Sequence, residues 1–326
     1  MNRLKAAVVG LGNIGIMYDL PLWNDKNRIL THTKAYLTHK GFELKFGIDE
    51  DKTKRDIFSR YAGKPAYKDL TELESGNMDI VSICVPTELH LKAIKDVTVR
   101  IRTKYILCEK PIADNMGDYR EIISICEKRN IGLAVNYVRR WDSAVIKLRQ
   151  MLRKKYFGRI RAVHCYYTKG LLNNASHFID LLHYWFSEED RVSIINVKKS
   201  MLERDVDVSF VMHYKDFEAV FQCGDGSDYG LFEVDIIAEK GRIKYNNSGS
   251  SVGFYKKITD KMFRDNKMIG DTFYEIKNNM NCYQYYVMDG IYDSIRHRKK
   301  LLSDGVSADK TMKTCFEVKR LCKNLR

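Results

Sequence analysis

The strongest constraint on the fold is Gly10-Leu11-Gly12-Asn13-Ile14-Gly15, set directly after an apolar run at residues 5–9. Glycines at these spacings allow a tight turn, close approach of the backbone to a pyrophosphate, and close helix packing. The spacing alone is a weak signal. Its position after a first strand, ahead of alternating strands and helices, makes it a dinucleotide-binding turn. Gly10, Gly12, Asn13, Ile14 and Gly15 are the expected phosphate cradle, with the N-terminus of a following helix favouring the anionic groups.

The pattern resumes after an irregular stretch at 16–30 rich in Asp, Asn and Pro. Helical patterning at 31–39 leads to a strand at 42–48 that stops at Asp49, then an amphipathic helix at 51–61. A continuous apolar run at 80–85 stops at Pro86-Thr87, and the run at 105–108 stops at Glu109-Lys110-Pro111. Helices are expected at 89–100 and 116–129, and a last strand at 131–135 ends at Asn136. Short continuous apolar runs between helices suit strands buried on both faces of a parallel sheet. The fold class is therefore α/β, with an N-terminal Rossmann doubly wound parallel sheet.

After Asn136 the character changes. Helices are expected at 140–156, 176–186, 281–298 and 307–325, with alternating segments at 161–168, 194–198, 207–214, 219–223, 232–239 and 241–245. Alternation of this kind indicates an open, largely antiparallel sheet. The expected division is a dinucleotide-binding domain at 1–135 and a substrate-binding and oligomerisation α/β domain at 136–326.

Composition narrows the function classes. A chain of 326 residues supports two cores, and 44% hydrophobic with 30% charged residues is ordinary for a globular protein. No run approaches the roughly 18 to 20 apolar residues of a membrane helix, and residues 4–11 lack signal-peptide architecture. The 8 cysteines are scattered without a C-x-x-C pair, which suits reduced thiols in a cytoplasmic protein and no zinc site. The net charge of +14 is spread along the chain without a nucleic-acid module, so neither nucleic acid nor membrane is an expected partner. An anionic small molecule, such as a nucleotide-linked or acidic sugar, matches a basic cleft better.

Strand ends carry the chemistry. Asp49 is placed to bind the adenosine ribose, with a plain turn residue as the alternative, and 16–30 accounts for its late position. A carboxylate there favours NAD, while Lys52 and Arg55 leave room for NADP. Pro86 and Thr87 lie at the ligand-binding edge, and Thr87 either lines the site or caps the next helix. His90 is read as packed or adjacent to the cofactor. Glu109 and Lys110 end the next strand, and Asn136 ends the one after. A lysine against a positive nicotinamide ring has its pKa lowered from about 10.4, and can hydrogen-bond a hydroxyl or carbonyl during hydride transfer.

These motifs, with Thr31-His32-x-x-Ala35-Tyr36, Gly158-x-Ile160 and Gly241-Arg242-Ile243, resemble the NAD(P)-dependent oxidoreductases related to glucose–fructose oxidoreductase and inositol 2-dehydrogenase. The resemblance implies hydride transfer between nicotinamide and a carbon of a sugar or nucleotide-sugar. It also implies a homodimer or homotetramer built through the C-terminal sheet. Family members typically carry Asp-x-x-x-His-x-x-Asp where this chain has Asn173 to Asp180. His177 matches the histidine and Asp180 the second acid, while Asn173 replaces the first Asp. Asn can bond a hydroxyl but cannot take its proton, whereas His can. Lys110 and His177 are thus the expected acid/base groups, with Lys110, His177, Asn173, Tyr137 and Arg140 as substrate contacts. Tyr137 and Arg140 are expected at the domain junction, Arg140 meeting an anionic substrate group or making a structural contact. Helical geometry turns His183 away from His177, so no metal is expected. The 16–30 stretch and Asn173-Asn174 are similar to a subgroup that makes surface polysaccharides. An NAD-dependent glycosidase and a non-catalytic cofactor-binding sensor are the alternatives.

Overall fold

The computed structural model describes residues 2–73, 76–198 and 205–323. Six strands of the first half are β1 (Leu4–Val9), β2 (Phe42–Ile48), β3 (Ala66–Tyr67), β4 (Gly76–Ile83), β5 (Ile101–Cys108) and β6 (Gly132–Val135). All pair in parallel in the order β3-β2-β1-β4-β5-β6. Their near-continuous apolar runs are buried on both faces, because helices cover the sheet. Those helices are α1 (His32–Thr38), α2 (Lys52–Ala62), α3 (His90–Arg100) and α4 (Met116–Lys128). Asp51 caps α2 by accepting from the N–H groups of Thr53 and Lys54, and Asn115 caps α4 by accepting from Asp118.

Register fixes where this sheet ends. Val9 pairs with Ile48 on one side and Ile83 on the other; Ile83 pairs with Cys108, and Cys108 with Val135. The next residue of each strand continues the ladder, since Gly10, Cys84, Glu109 and Asn136 donate to Ile48, Val9, Ile83 and Cys108. Asp49, Gly10, Cys84, Glu109 and Asn136 therefore form one row along the carboxyl edge. That edge, where strand order reverses between β1 and β4, is where ligands bind in open α/β sheets.

One expectation is corrected. The glycine turn does not open a regular helix: it makes one turn and runs into a 3-10 helix, Met17–Leu22, that holds Pro21. The carbonyls of Ile14 and Gly15 would normally accept from residues four further on. They accept instead from His32 and Thr33, at 3.1 and 3.0 Å. Residues 16–31 are thus an excursion out of a helix that resumes at α1. The carboxylate of Asp19, fully buried, closes its base by accepting from the N–H groups of Leu30 and Thr31 and from the Thr31 hydroxyl. Lys34, whose ammonium is 4.0 Å from Asp19, ties two more carbonyls of the excursion, Leu22 and Asp25.

The second sheet has eight strands: β7 (Ile160–Tyr167), β8 (Arg191–Lys198), β9 (Asp207–His213), β10 (Glu218–Cys223), β11 (Phe232–Ala238), β12 (Gly241–Asn246), β13 (Ser251–Thr259) and β14 (Lys267–Glu275). Its order is β14-β13-β12-β11-β7-β10-β9-β8, and only β7 and β10 pair in parallel, so it is largely antiparallel. Helices α5 (Ser143–Arg153) and α6 (Ser176–Trp185) precede most of it. The hairpin of β13 and β14 was not expected, because lysines and glycines break the alternation of its largely exposed strands. Helices α7 (Tyr283–His297) and α8 (Gly305–Lys323) end the described chain.

Contacts divide the chain into Met1–Trp141 with Asn281–Ala308, and Asp142–Met280 with Asp309–Arg326. Chain order alone does not set this grouping. Asn281–Ala308 belongs with the first unit because Val287, Met288 and Ile291 of α7 enter its core, and Ser303 accepts from the N–H of Val135 beside β6. Asp19→Ala removes the acceptor for two buried N–H groups and a neighbour of a buried ammonium. It should lower stability in urea by about 3 kcal/mol; a loss under about 1 kcal/mol would show that the excursion closes without it.

Candidate functional site

The glycine turn has the geometry a pyrophosphate requires. Gly10 has φ +96°, a left-handed conformation, and a Cβ there would lie 2.6 Å from the Cys84 backbone. A Cβ on Gly15 would lie 2.2 Å from the Gly10 carbonyl. Gly12 differs: a Cβ on it would meet nothing within 4 Å. The first and third glycines are demanded by the protein itself, and the second leaves open space beside the backbone. Asn13 and Ile14 complete the turn, and the Asn13 carbonyl accepts from Tyr18.

Asp49 faces this turn. One carboxylate oxygen accepts from the N–H of Leu11 at 2.8 Å, the other from Asp51 at 3.0 Å. Each oxygen keeps a lone pair for a ribose hydroxyl. The nearby cations are engaged: Lys54 lies 3.8 Å from Asp49, Lys52 pairs with Asp56, and Arg55 donates to the carbonyls of Asp49 and Glu50.

Pro86 stands at the N-cap position of a short 3-10 turn, Thr87–Leu89, after β4, and the N-cap position of α3 falls to Leu89 rather than Thr87. His90 starts α3 at 1% exposure, its ring nitrogens 3.1 and 3.0 Å from the carbonyls of Ile112 and Val85. Burial holds its pKa below the ordinary range. A neutral ring carries one N–H, so it donates to one of these carbonyls, and the Cys108 thiol lies 3.5 Å from Nδ1.

Glu109 is the centre of a buried polar network. His32 Nε2 lies 2.7 Å from Glu109 Oε1, and His32 Nδ1 lies 2.9 Å from the Ser82 hydroxyl. Tyr36 reaches the same hydroxyl at 2.8 Å. The Asn136 amide nitrogen donates to Glu109 Oε1 and, at 3.0 Å, to Gln284 Oε1. Turning that amide over would set its oxygen against a carboxylate, so the network fixes its orientation. The N–H of Lys110 donates to Glu109 Oε2 at 3.3 Å. Burial raises the Glu109 carboxyl, but the hydrogen bonds to His32 and Asn136, with the charge of Lys110, outweigh it, so its pKa lies below the ordinary value.

The row thus brings together Gly10, Gly12, Asn13, Ile14, Gly15, Asp49, Glu109, Lys110 and Asn136 of the expected site. Tyr137 and Arg140 follow it but are buried, at 1% and 6%, and Arg140 donates to the Leu302 carbonyl, the structural contact of its two readings. Sequence reasoning missed Ser82 and Gln284 and gave His32 no role. His32 stood within a noted motif, whereas nothing in the local pattern marks Gln284, which arrives from α7.

His177 and Asn173 lie in the second unit. Gly170, at φ +90°, starts a π-helical turn, Leu171–Ala175, that runs into α6. His177 is 7% exposed and packs edge-on against Phe232, with ring centroids 5.9 Å apart. Asp180, 1% exposed, accepts from the Thr311 hydroxyl. Asn173 donates its amide to the Lys169 carbonyl, and its N–H goes to Asp205. Asp205 also accepts from Leu172 and Val206, so a carboxylate absent from position 173 stands beside it from elsewhere in the chain. A Cβ on Gly170 would lie 2.1 Å from that carboxylate. His183 pairs with Glu189 at 2.7 Å. Among the described residues no group of three or more His, Cys, Asp or Glu is arranged to hold a metal ion.

Residues 4–137 match the model of an oxidoreductase family with an NAD-binding Rossmann fold. Among curated proteins, myo-inositol 2-dehydrogenase of Thermotoga maritima is 26% identical over 157 residues, 48% of this chain and 42% of that protein. Rhizopine catabolism protein MocA of Rhizobium meliloti is 29% identical over 94 residues, 29% of each chain. The chain spans less than half the length of these relatives. Among solved structures, the WlbA dehydrogenase from Bordetella pertussis, in complex with NADH and UDP-GlcNAcA, aligns with TM-score 0.75 and 16% identity, covering 100% of this chain and 97% of that one. UDP-N-acetylglucosamine 3-dehydrogenase GnnA from Acidithiobacillus ferrooxidans aligns with TM-score 0.73 and 15% identity, covering 98% of each. At these identities the likeness shows the fold.

Two predictions follow from the geometry of the turn and of Glu109. Gly12→Ala should keep the melting temperature yet weaken NADH binding, read by its fluorescence, about tenfold or more; Gly15→Ala should lose stability instead. If Gly12→Ala binds NADH as tightly as the native protein, the pyrophosphate does not lie on this turn. A carboxyl lowered on folding stabilises above its ordinary value of 4.5 and loses that contribution as pH falls through its lower folded value. Urea stability should therefore fall more steeply with acid in the native protein than in Glu109→Gln. Parallel curves would contradict the network.

Proposed function

We propose that this chain, whose residues 4–137 match the model of the Gfo/Idh/MocA oxidoreductases with an NAD-binding Rossmann fold, moves a hydride between NAD and a carbon of a sugar or nucleotide-sugar. The observation that carries this reading is the row at the carboxyl edge: an open glycine turn, a carboxylate beside it and the Glu109-Lys110 pair stand on the ends of β1, β2 and β5, three of four adjacent strands. Bound NAD supplies the hydride acceptor or donor. Lys110 orients the reacting oxygen and exchanges its proton, with Glu109 beside it stabilising the ammonium. His177 is the second proton-exchanging group, and Asn173 holds a substrate hydroxyl without titrating.

The substrate class rests on two supports. A formal charge of +14 attracts anionic ligands, and a nucleotide diphosphate is one. Proteins of the same fold are named for UDP-linked amino sugars and bound to one. A place in surface polysaccharide synthesis, a cytoplasmic location and a homodimer or homotetramer joined through the C-terminal sheet complete the proposal. No helix among the described residues is long and apolar enough to cross a membrane. The substitution of Asn173 for an acid supports a second reading, a cofactor-binding sensor.

The test is NADH formation from NAD with a panel of UDP-sugars and UDP-uronates. A substrate should emerge for which Lys110→Ala lowers kcat about 100-fold or more and His177→Ala about tenfold or more, with NADH affinity kept. Tight NADH binding with no turnover across the panel would favour the sensor. Free sugar released without net NADH would favour a glycosidase.

A further inference from the structure

We infer that His32 is a positioning residue for Lys110, acting through Glu109, held at the point where the helix resumes after the 16–31 excursion. This rests on the reading of Lys110 as the proton-exchanging group, but its test does not need a substrate. His32 is fully buried, so it cannot touch a ligand. It nevertheless holds the carboxylate that lies beside Lys110, at 2.7 Å. Asn136 shares the same Glu109 oxygen, while the Lys110 N–H uses the other.

The groups behind His32 choose its tautomer. If the Tyr36 hydroxyl donates to Ser82, and Ser82 donates to His32 Nδ1, then Nε2 carries the proton and donates to Glu109. Every donor in that line meets an acceptor. The line ends at Tyr36, which is 1% exposed, so it leads to no solvent and cannot relay protons outward. Its work is orientation. The other titratable groups around Glu109 carry little charge to compete: burial raises the thiols of Cys84 and Cys108 and the phenol of Tyr283, and lowers His90.

The excursion meets the network from both ends. It returns to the helix at His32, through the Ile14 and Gly15 carbonyls. Its far side docks on the start of α7, where Ile29 donates to the Asn281 carbonyl and accepts from the N–H of Gln284. Gln284 is the acceptor that, with Glu109, orients Asn136. The inserted segment therefore adjoins His32, which bonds Glu109, and Gln284, which bonds Asn136.

The experiment reads Lys110 directly. The pH dependence of its acetylation by acetic anhydride, followed peptide by peptide, gives its titration midpoint in the whole protein. In His32→Leu the charge on Glu109 loses its closest donor and holds the neighbouring ammonium more tightly, so the Lys110 midpoint should rise by about 0.5 unit or more. His32→Gln, which restores an N–H at the reach of Nε2, should bring the midpoint back. Ser82→Ala should shift it in the same direction by less, and decides the matter if His32→Leu fails to fold. Coincident midpoints in the native protein and these variants would overturn the inference. A shifted midpoint in a protein that turns over no sugar would leave it standing and remove the dehydrogenase reading instead.

Discussion

A carboxylate left only 12% exposed at the end of a parallel strand must be met by donors, and much of the first unit is arranged to meet the one on Glu109. Its partners come from three places in the chain: His32 at the start of α1, Asn136 at the end of β6, and its own neighbour Lys110. Leaving such a group unpaired costs several kcal/mol. The elements that bring the donors are therefore held in place as firmly as the strand that brings the acid. Gln284 extends the demand to α7, which is why a segment nearly 150 residues downstream of Asn136 belongs to the same compact unit.

The glycine turn obeys a second constraint from the same sheet edge. Gly10 and Gly15 leave no room for a side chain because the turn folds back on its own backbone and on Cys84. Of the three glycines only Gly12 is open. The 16–31 excursion leaves the helix just past this turn without disturbing it, since the Ile14 and Gly15 carbonyls find substitute donors in His32 and Thr33. Asp19 seals the gap with a charge that never reaches solvent. A cofactor-binding turn and an inserted segment thus coexist because each closes its own hydrogen bonds.

Much of the first sheet was legible because burial on both faces writes itself as apolar runs, and the strand stops at Asp49, Glu109 and Asn136 fell where those runs broke. The helix after the glycine turn was misjudged: nothing in 16–30 announces that carbonyls at 14 and 15 wait for residues 32 and 33. The hairpin of β13 and β14 escaped because exposed strands need not alternate in hydrophobicity. His32, Ser82 and Gln284 escaped as members of the Glu109 network for a different reason. Their role lies in pairing across long sequence separations, which neither periodicity nor spacing encodes. Asp205 is similar: its carboxylate meets the Leu172 and Asn173 backbone N–H groups across more than 30 residues.

The account stands on the claim that the Glu109-Lys110 end of β5 faces the reactive end of the cofactor. The most direct measurement is a crystal structure with NAD and a UDP-sugar bound. It should place the pyrophosphate on the Gly12 backbone and the Lys110 ammonium within about 3 Å of the sugar oxygen at the reacting carbon. A nicotinamide directed away from Lys110, with the glycine turn still occupied, would contradict it.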